Sequence, residues 1–341
     1  MQTPSKNILK VARTLFAEAE EISCFVDSLA KDQREHVAVL WTKDRPQTAP
    51  FPVIPQFDFQ PQFVDMVPWE ARPAASPLHE AGSFYVLDPS SVFCASALSS
   101  IAPNTGPILD LCAAPGGKSI AAWAQLHPQL LVANEVIGKR LPALISNLRR
   151  LLIAPVIVSS SDSSWFAAEF RKSFALVVCD VPCSGQSLLA RGQGNAGAFH
   201  PTTINSNSRR QRRIVANAAQ AVAPGGYLLY STCTFSPAEN EEIVQWLMRK
   251  FPQFEACAVA MLEPYRSRLS AAPCYRLYPH QRKGAGGFVC LMRNCESGDA
   301  APLEISLIRP YFQAGVDLPQ SEARARKIGS RSSRGGSRGD D

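Results

Sequence analysis

Two cysteines stand in settings that packing alone does not explain. Cys183 lies in Asp180-Val-Pro-Cys183-Ser-Gly185, and Cys233 lies in Ser231-Thr-Cys233-Thr-Phe235. Each segment ends an apolar run that reads as a buried strand, Ala175–Asp180 and Tyr227–Thr232. In an open parallel sheet such strand ends line one crevice. Two thiols in a crevice that also takes a nucleoside-type ligand suggest covalent chemistry. Carbon 5 of a pyrimidine is a poor nucleophile. A thiolate adding at carbon 6 makes carbon 5 enamine-like, so that it can attack an electrophilic methyl. A carboxyl group at the ring nitrogens can take up developing charge, and Asp180 is placed for that. A base must then remove the carbon 5 proton before the thiol can leave. Residue type and spacing alone do not divide the two thiols between these roles. The other cysteines read as small buried hydrophobes. They are Cys24, Cys94, Cys179, Cys257, Cys274, Cys290 and Cys295, with Cys112 packing inside a turn.

That turn is Asp110-Leu-Cys-Ala-Ala-Pro-Gly-Gly-Lys118, and it joins a strand to a helix. Small residues there let a ligand approach the backbone. It is neither GxGxxG nor the GxxxxGK[ST] phosphate loop, so a dinucleotide or nucleoside triphosphate is not the first reading. Glu135 ends the next strand, where a carboxylate can accept ribose hydroxyls. Asp162 follows the third strand, where it could meet an adenine edge.

These residues need a scaffold. From about residue 83 apolar runs alternate with helical ones. The strands are Pro107–Leu111, Leu130–Asn134, Val156–Ser159, Ala175–Asp180 and Tyr227–Thr232. Helices start near Lys118, Gly138, Ser164 and Ser208, and a further one runs from Glu239 to Lys250. Such alternation predicts an α/β fold with a parallel sheet covered on both faces. Residues 255–260 and 286–293 read as two last strands, able to pair antiparallel at the sheet edge. Before this region, residues 5–30 have the apolar period of one amphipathic helix. His36 to Trp41 reads as a strand, and the prolines of 45–80 predict an irregular connector. The expected division is a small N-terminal α+β domain with its connector (1–80), a catalytic domain (81–295), an extension (296–320) and a disordered Arg/Gly/Ser tail (321–341).

Composition narrows the class. Hydrophobic residues are 46% and charged residues 19%, as in globular chains. No window approaches a membrane span. Met1 to Glu21 lacks the pattern of a secretory signal. The ten cysteines contain no CxxC pair and there are five histidines, so no metal site is expected. A reducing cytoplasm is the expected setting, with the chain acting as a monomer. The net charge is +6, and residues 322–341 supply +3 of it.

Together these segments resemble the Nol/Nop/Sun (RsmB/Sun-like) family of RNA cytosine-5 methyltransferases, which use S-adenosylmethionine. The resemblance runs over residues 81–293. It rests on Gly82-Ser-Phe-Tyr-Val-Leu-Asp-Pro-Ser-Ser91, DLCAAPGGKS at 110–119, Asn134-Glu135, Asp162, DVPCSG at 180–185, STCTFSPAENE at 231–241 and Gly-Gly-Phe288. It implies a Rossmann-like methyltransferase sheet, mostly parallel with an antiparallel last strand. It implies that Cys112, Ala113, Ala114, Pro115, Gly116, Gly117 and Lys118 hold the methionine side of S-adenosylmethionine, with Asp180 beside them. Glu135 would hold its ribose and Asp162 its adenine. It divides the thiols: Cys233 resembles the nucleophile, and Cys183 the partner that assists product release. The implied substrate is ribosomal or transfer RNA. Leu87 stands where the family usually has Gln, and Gln186-Ser187 where a Gly-containing pair is usual. The family's basic-Asn-Thr strand is replaced by His36 to Lys43. With no large N-terminal helical domain and no evident C-terminal RNA-binding domain, a compact member is expected.

The motifs also bear on other methylase classes. A DNA cytosine methylase usually carries Pro-Cys-Gln, and an exocyclic-amine or glutamine methylase an Asn/Asp-Pro-Pro-Tyr/Phe element; here 180–183 reads Asp-Val-Pro-Cys. The alternative of another class is a non-catalytic RNA-binding assembly factor, which the two intact thiols disfavour. Ser236-Pro-Ala-Glu239 reads as a capping box. Arg209, Arg210, Arg212 and Arg213 read as the start of a helix. Cations there oppose its dipole, so phosphate contact is the functional reading. Deleting 322–341 is expected to lower RNA affinity and flatten its salt dependence while sparing single-turnover methylation, checked by binding titrations at several salt concentrations.

Overall fold

The structure is a computed structural model and describes residues 5–317 except 31, 33 and 195. The proposed tail at 321–341 and the end of the extension lie outside the described residues.

The N-terminal apolar stripe folds into two helices rather than one, α1 (Lys6–Leu15) and α2 (Ala19–Leu29). The Ser5 side chain caps α1, and Phe16 ends it in an extended conformation (φ −129°, ψ 140°). The fold-back lets both helices pack on one cluster with Phe199 and Phe235, which one straight rod could not surround. Strand β1 (His36–Trp41) follows as expected. The connector, however, contains strand β2 (Val64–Pro68) and a short helix α3 (Pro77–Glu80). β1 pairs antiparallel with β2 on one side and with β3 (Phe84–Leu87) on the other. β2 is therefore an edge strand, where a terminal proline is tolerated.

The large sheet is built from β4 (Ile108–Asp110), β5 (Leu131–Asn134), β6 (Val156–Ser159), β7 (Phe174–Asp180) and β8 (Val222–Thr232), all mutually parallel. Helix α4 (Pro89–Ser96) precedes it, and α5 (Gly117–Leu126), α6 (Leu141–Arg150), α7 (Ser163–Glu169) and α8 (Pro201–Ala221) connect its strands. After α9 (Glu241–Lys250) come β9 (Phe254–Ala256), β10 (Tyr275–Leu277), β11 (Gly287–Asn294) and β12 (Phe312–Ala314). The spatial order is β10-β11-β8-β7-β4-β5-β6-β12, with β9 also paired to β11. β11 runs antiparallel to β8, and β9 antiparallel to β11. Besides β2 and β3 of the smaller sheet, two strands of the large sheet are not expected from the sequence. β10 flanks β11, and β12, inside the extension, covers the β6 edge. Each is three residues long, too short for a period to register.

Alternate strand residues face opposite layers, as the pleat requires. Ile108, Leu131, Val156, Leu176 and Leu229 join one core, which also takes Leu40 and Phe59 of the N-terminal region. Leu109, Val132, Ile157, Val177 and Leu228 join the other.

Two local readings are corrected. Helix α8 begins at Pro201, with the His200 side chain as its cap. Arg209 to Arg213 therefore sit in mid-helix, where the dipole argument does not apply. Ser236 makes no side-chain cap, and Pro237–Glu239 forms a separate turn before α9 starts at Glu241. Glu239 turns into the protein instead of back to the helix end. Among the described residues no helix is long and apolar enough to cross a membrane, and no His/Cys/Asp/Glu group could hold a metal ion.

Candidate active site

Strands β7 and β8 are neighbours, with Asp180 paired opposite Ser231. Their chains thus leave the sheet at one level. Two and three residues on, the Sγ atoms of Cys233 and Cys183 lie 3.1 Å apart, both half-buried. The Cys183 thiol donates to Cys233 and holds the Cys233 thiol below its ordinary pKa, with the Lys118 and Arg191 cations helping against burial and Asp180. The same hydrogen bond, then burial, then the Cys233 charge push Cys183 well above its ordinary value. The pair is polarised: Cys233 is the readier thiolate. Asp180 Oδ1 accepts from Ser231 Oγ at 2.9 Å, and Oδ2 pairs with Lys118 Nζ at 2.7 Å. Burial pulls the Lys118 ammonium down, but Asp180 and the nearby thiols outweigh it and raise it overall. Lys118 is thus held against Asp180 rather than solvated.

The Gly-rich turn is tied into the same crevice. Asp110 is buried and accepts from Ser119 Oγ at 2.6 Å, with the Cys112 amide at 3.3 Å. Burial lifts its carboxyl to about 7. Ala113 N donates to Asn134 O and Gly116 N to Ala113 O, both at close distance (2.8 and 2.7 Å). Gly116 has φ +116°, where a side chain is strained, and an added Cβ would stand 3.3 Å from Leu144 Cδ1. Pro115 O accepts from Asn147 Nδ2, and Ala114 O from Arg140. Gly117 opens α5, which places Lys118 in its first turn. Cys112 is half-buried and packs against the second core, as its sequence context suggested.

Glu135 follows β5 and is 2% exposed. Its Oε1 accepts from Ile137 N at 2.9 Å. Its Oε2 stands 3.0 Å from Arg140 Nη1, yet out of line, and has no hydrogen-bond partner among the described residues. A buried open acceptor of this kind fits a ribose hydroxyl. Val136 beside it is 56% exposed. The sequence reading passed over it; its signal was an aliphatic residue directly after the strand-terminal acid.

Asp162 caps α7, accepting from Ser164 N at 3.0 Å, and both its oxygens accept from Arg213 Nη1. The Ser164 amide and then Arg213 hold its carboxyl at about 2. Arg213 is exposed but engaged with Asp162. Arg212 is half-buried beside Trp246, and Arg210 bonds to Asn207. Arg209 and Arg210 are exposed. The four arginines of one expected cluster therefore have separate settings.

Departures from the family pattern are structural here. Leu87 is buried in the first core, where an amide would need partners. Gln186 is buried, accepts from Phe235 N at 2.9 Å and donates to Ala198 O, while Ser187 N donates to Cys233 O at 3.1 Å. The pair in place of the usual glycine motif therefore binds the Cys183 loop to the Cys233 loop. Asp88 caps α4 and pairs with Arg191 at 2.9 Å, reaching the same region. Sequence reasoning gave Gln186, Asp88 and Arg191 no such role, because each partner lies far away in the chain.

A parallel sheet with antiparallel β11, a Gly-rich turn after β4 and an acid after β5 define the fold of S-adenosylmethionine-dependent methyltransferases. Within that class, the model of the 16S rRNA methyltransferase RsmB/F family matches residues 98–293, and the chain belongs to this family. It is 30% identical over 242 residues to ribosomal RNA small subunit methyltransferase F of Pectobacterium atrosepticum, covering 70% of this chain and 48% of that protein. The protein of the same name from Cronobacter sakazakii is 28% identical, covering 74% and 54%. The chain thus spans about half the length of the curated relatives it matches. Among solved structures it is similar to NSun6 from Pyrococcus horikoshii with SFG (TM-score 0.67, 17% identity, 86% of this chain and 99% of that one). It is also similar to a methyltransferase homolog protein from the same organism (TM-score 0.66, 21% identity, 85% and 99%).

Proposed function

We propose that this protein methylates carbon 5 of cytosine in RNA, with S-adenosylmethionine as methyl donor. The observation that carries the reading is the thiol pair at 3.1 Å beside Asp180, at the ends of adjacent parallel strands. The donor supplies an electrophilic methyl group when bound. The turn from Cys112 to Lys118, Glu135 and Asp162 are the residues that hold it, and the open acceptor on Glu135 supports this. Cys233, the readier thiolate, bonds to carbon 6 of the base. Asp180 faces the ring nitrogens and shares a proton with them, while the Lys118 ammonium paired with it offsets the negative charge that thiolate addition sends into the ring. Once carbon 5 carries the methyl, its proton passes to the thiolate of Cys183, which stands at the leaving sulfur. The electrons of that C–H bond re-form the carbon 5–carbon 6 double bond, and the carbon 6–sulfur bond breaks to release Cys233 as thiolate. Exposed Arg209 and Arg210 face the phosphate chain of the substrate. The family's descriptive name supports ribosomal RNA of the small subunit as the target.

The test is methyl transfer by the purified chain to 16S ribosomal RNA and to transfer RNA, read by nucleoside mass spectrometry. The expected product is 5-methylcytidine at a defined position. Methylation at a nitrogen or oxygen would overturn the chemistry. RNA binding without transfer would favour the assembly factor. Separately, Asp162→Ala is expected to weaken donor binding roughly tenfold by calorimetry, the scale of one charged hydrogen bond. RNA affinity is expected to change less, and an unchanged donor affinity would remove Asp162 from the adenine site.

A further inference from the structure

One buried carboxylate joins the two thiol loops. Glu239 has 0% relative exposure and sits in the turn between β8 and α9. Its Oε1 accepts from Ser184 N at 2.9 Å and from Gln211 Nε2 at 3.0 Å. Its Oε2 accepts from Ser184 Oγ at 2.6 Å and from Thr234 Oγ1 at 3.5 Å, and the two hydroxyls stand 2.6 Å apart. Gln211 Nε2 also donates to Pro182 O at 3.0 Å. Tyr230 from β8 pins the backbone, its hydroxyl donating to Glu239 O at 2.6 Å. The residues gathered this way are the chain neighbours of the thiols. Pro182 and Ser184 flank Cys183, and Thr234 follows Cys233.

Taking a carboxylate out of water is costly unless donors surround it. Burial pushes the Glu239 carboxyl up, against the hydrogen bonds from Ser184, Gln211 and Thr234. A site that only filled space would be filled at least as well by an apolar side chain. Here the side chain is acceptor-only and its donors converge from β7's loop, β8's loop and α8.

We propose that Glu239 is a positioning residue that holds the Cys183 and Cys233 loops as one unit, so that the contact between the two sulfurs depends on it. The link to catalysis rests on the thiol roles proposed above; the geometric claim does not. Without the carboxylate, Ser184 N loses its acceptor and Gln211 keeps only Pro182 O; the Gln186 and Ser187 bonds still join the loops, but Cys183 shifts relative to Cys233. Cys183 then no longer donates to Cys233. A glutamine can serve in its place. Its carbonyl accepts from Ser184 N and Gln211, and its amide donates to Ser184 Oγ, whose hydroxyl turns to donate to Thr234 Oγ1.

The experiment compares E239A, E239Q and T234V in the full chain, with thermal melts to establish folding. Three readouts are used: the pH dependence of Cys233 alkylation by iodoacetamide, the rate of Cys183–Cys233 disulfide formation with diamide, and the kinetics of methyl transfer. In the second, each thiol gives up one hydrogen and the azo bond of diamide gains two. E239A is expected to raise the alkylation midpoint by about one pH unit, because Cys233 loses its donor. Disulfide formation and kcat are expected to fall about tenfold or more, with the donor KM within about twofold. E239Q is expected to recover most of this loss. T234V, which severs the hydroxyl link alone, is expected to fall between the two and serves if E239A does not fold. A folded E239A or T234V with wild-type alkylation midpoint and disulfide rate overturns the proposal, as does E239Q matching E239A. Shifts in those two readouts with no methyl transfer even by the wild type would uphold the positioning role and sink the catalytic assignment instead.

Discussion

Replacing Cys233 with alanine is expected to abolish methyl transfer while RNA binding persists. The argument starts from the reactivity of carbon 5, which needs a nucleophile at carbon 6 before it can attack a methyl group. Cys233 is the thiol that its surroundings hold below the ordinary value, while Cys183 is pushed the other way. In this variant Cys183 is freed of the Cys233 charge but stands at the place of the leaving sulfur, not at carbon 6, and Cys112 is pushed up by burial and then by Asp110 and Asp180. The loss is expected to reach about 10⁴-fold, or roughly 5 kcal/mol of transition-state stabilisation. RNA affinity is expected to stay within about threefold, because phosphate contacts carry most of it. Single-turnover methyl incorporation and filter binding check the two halves. Full activity in Cys233→Ala ends the covalent reading.

Cys183→Ala is expected to trap RNA on the protein as a covalent adduct at Cys233. Two of the four causes that raise Cys183 depend on Cys233 itself, the hydrogen bond to it and its charge; the others are burial and the Glu239 charge. When Cys233 becomes a thioether at carbon 6, the two that depend on it are removed, so Cys183 ionises more readily at the moment a proton must leave carbon 5. Alanine offers nothing there, and the adduct persists. The variant also deprives Cys233 of its donor, so its thiol pKa rises and attack slows at neutral pH. Raising the pH restores that first step but not release. Denaturing gels with labelled RNA are expected to show a shifted, nuclease-sensitive band, absent from the Cys183→Ala/Cys233→Ala double variant. Normal turnover in Cys183→Ala, with no band, would assign release to another group.

The two predictions lean on different kinds of legibility. The strands ending at Asp180 and Thr232 are long apolar runs, and their place in a parallel sheet followed from strand–helix alternation. The Gly-rich turn was legible for the same reason, as local backbone demand at Gly116 leaves a local signal. The break at Phe16 was not legible, because the apolar period continues through it and only the cluster around Phe235 requires the fold-back. Ser236 to Glu239 carried a valid helix-start pattern, but the donors on Ser184 and Gln211 drew Glu239 inward. A tertiary hydrogen-bond network outcompeted a local cap.

The class is legible in the chain alone: motif order along alternating strands and helices, both thiols, the turn and the acids at strand ends. These are set by short stretches whose chemistry and backbone needs are local. The 3.1 Å contact between sulfurs fifty positions apart, and with it which thiol is the readier thiolate, exists only once the chain is folded. So do the bonds by which Glu239 and Gln186 join those loops and the pairing of the exposed Arg213 with Asp162. The physical reason is that burial, charge and hydrogen bonding act through space. Their strength depends on which segments the sheet brings side by side, and the +6 of the whole chain carries none of that information.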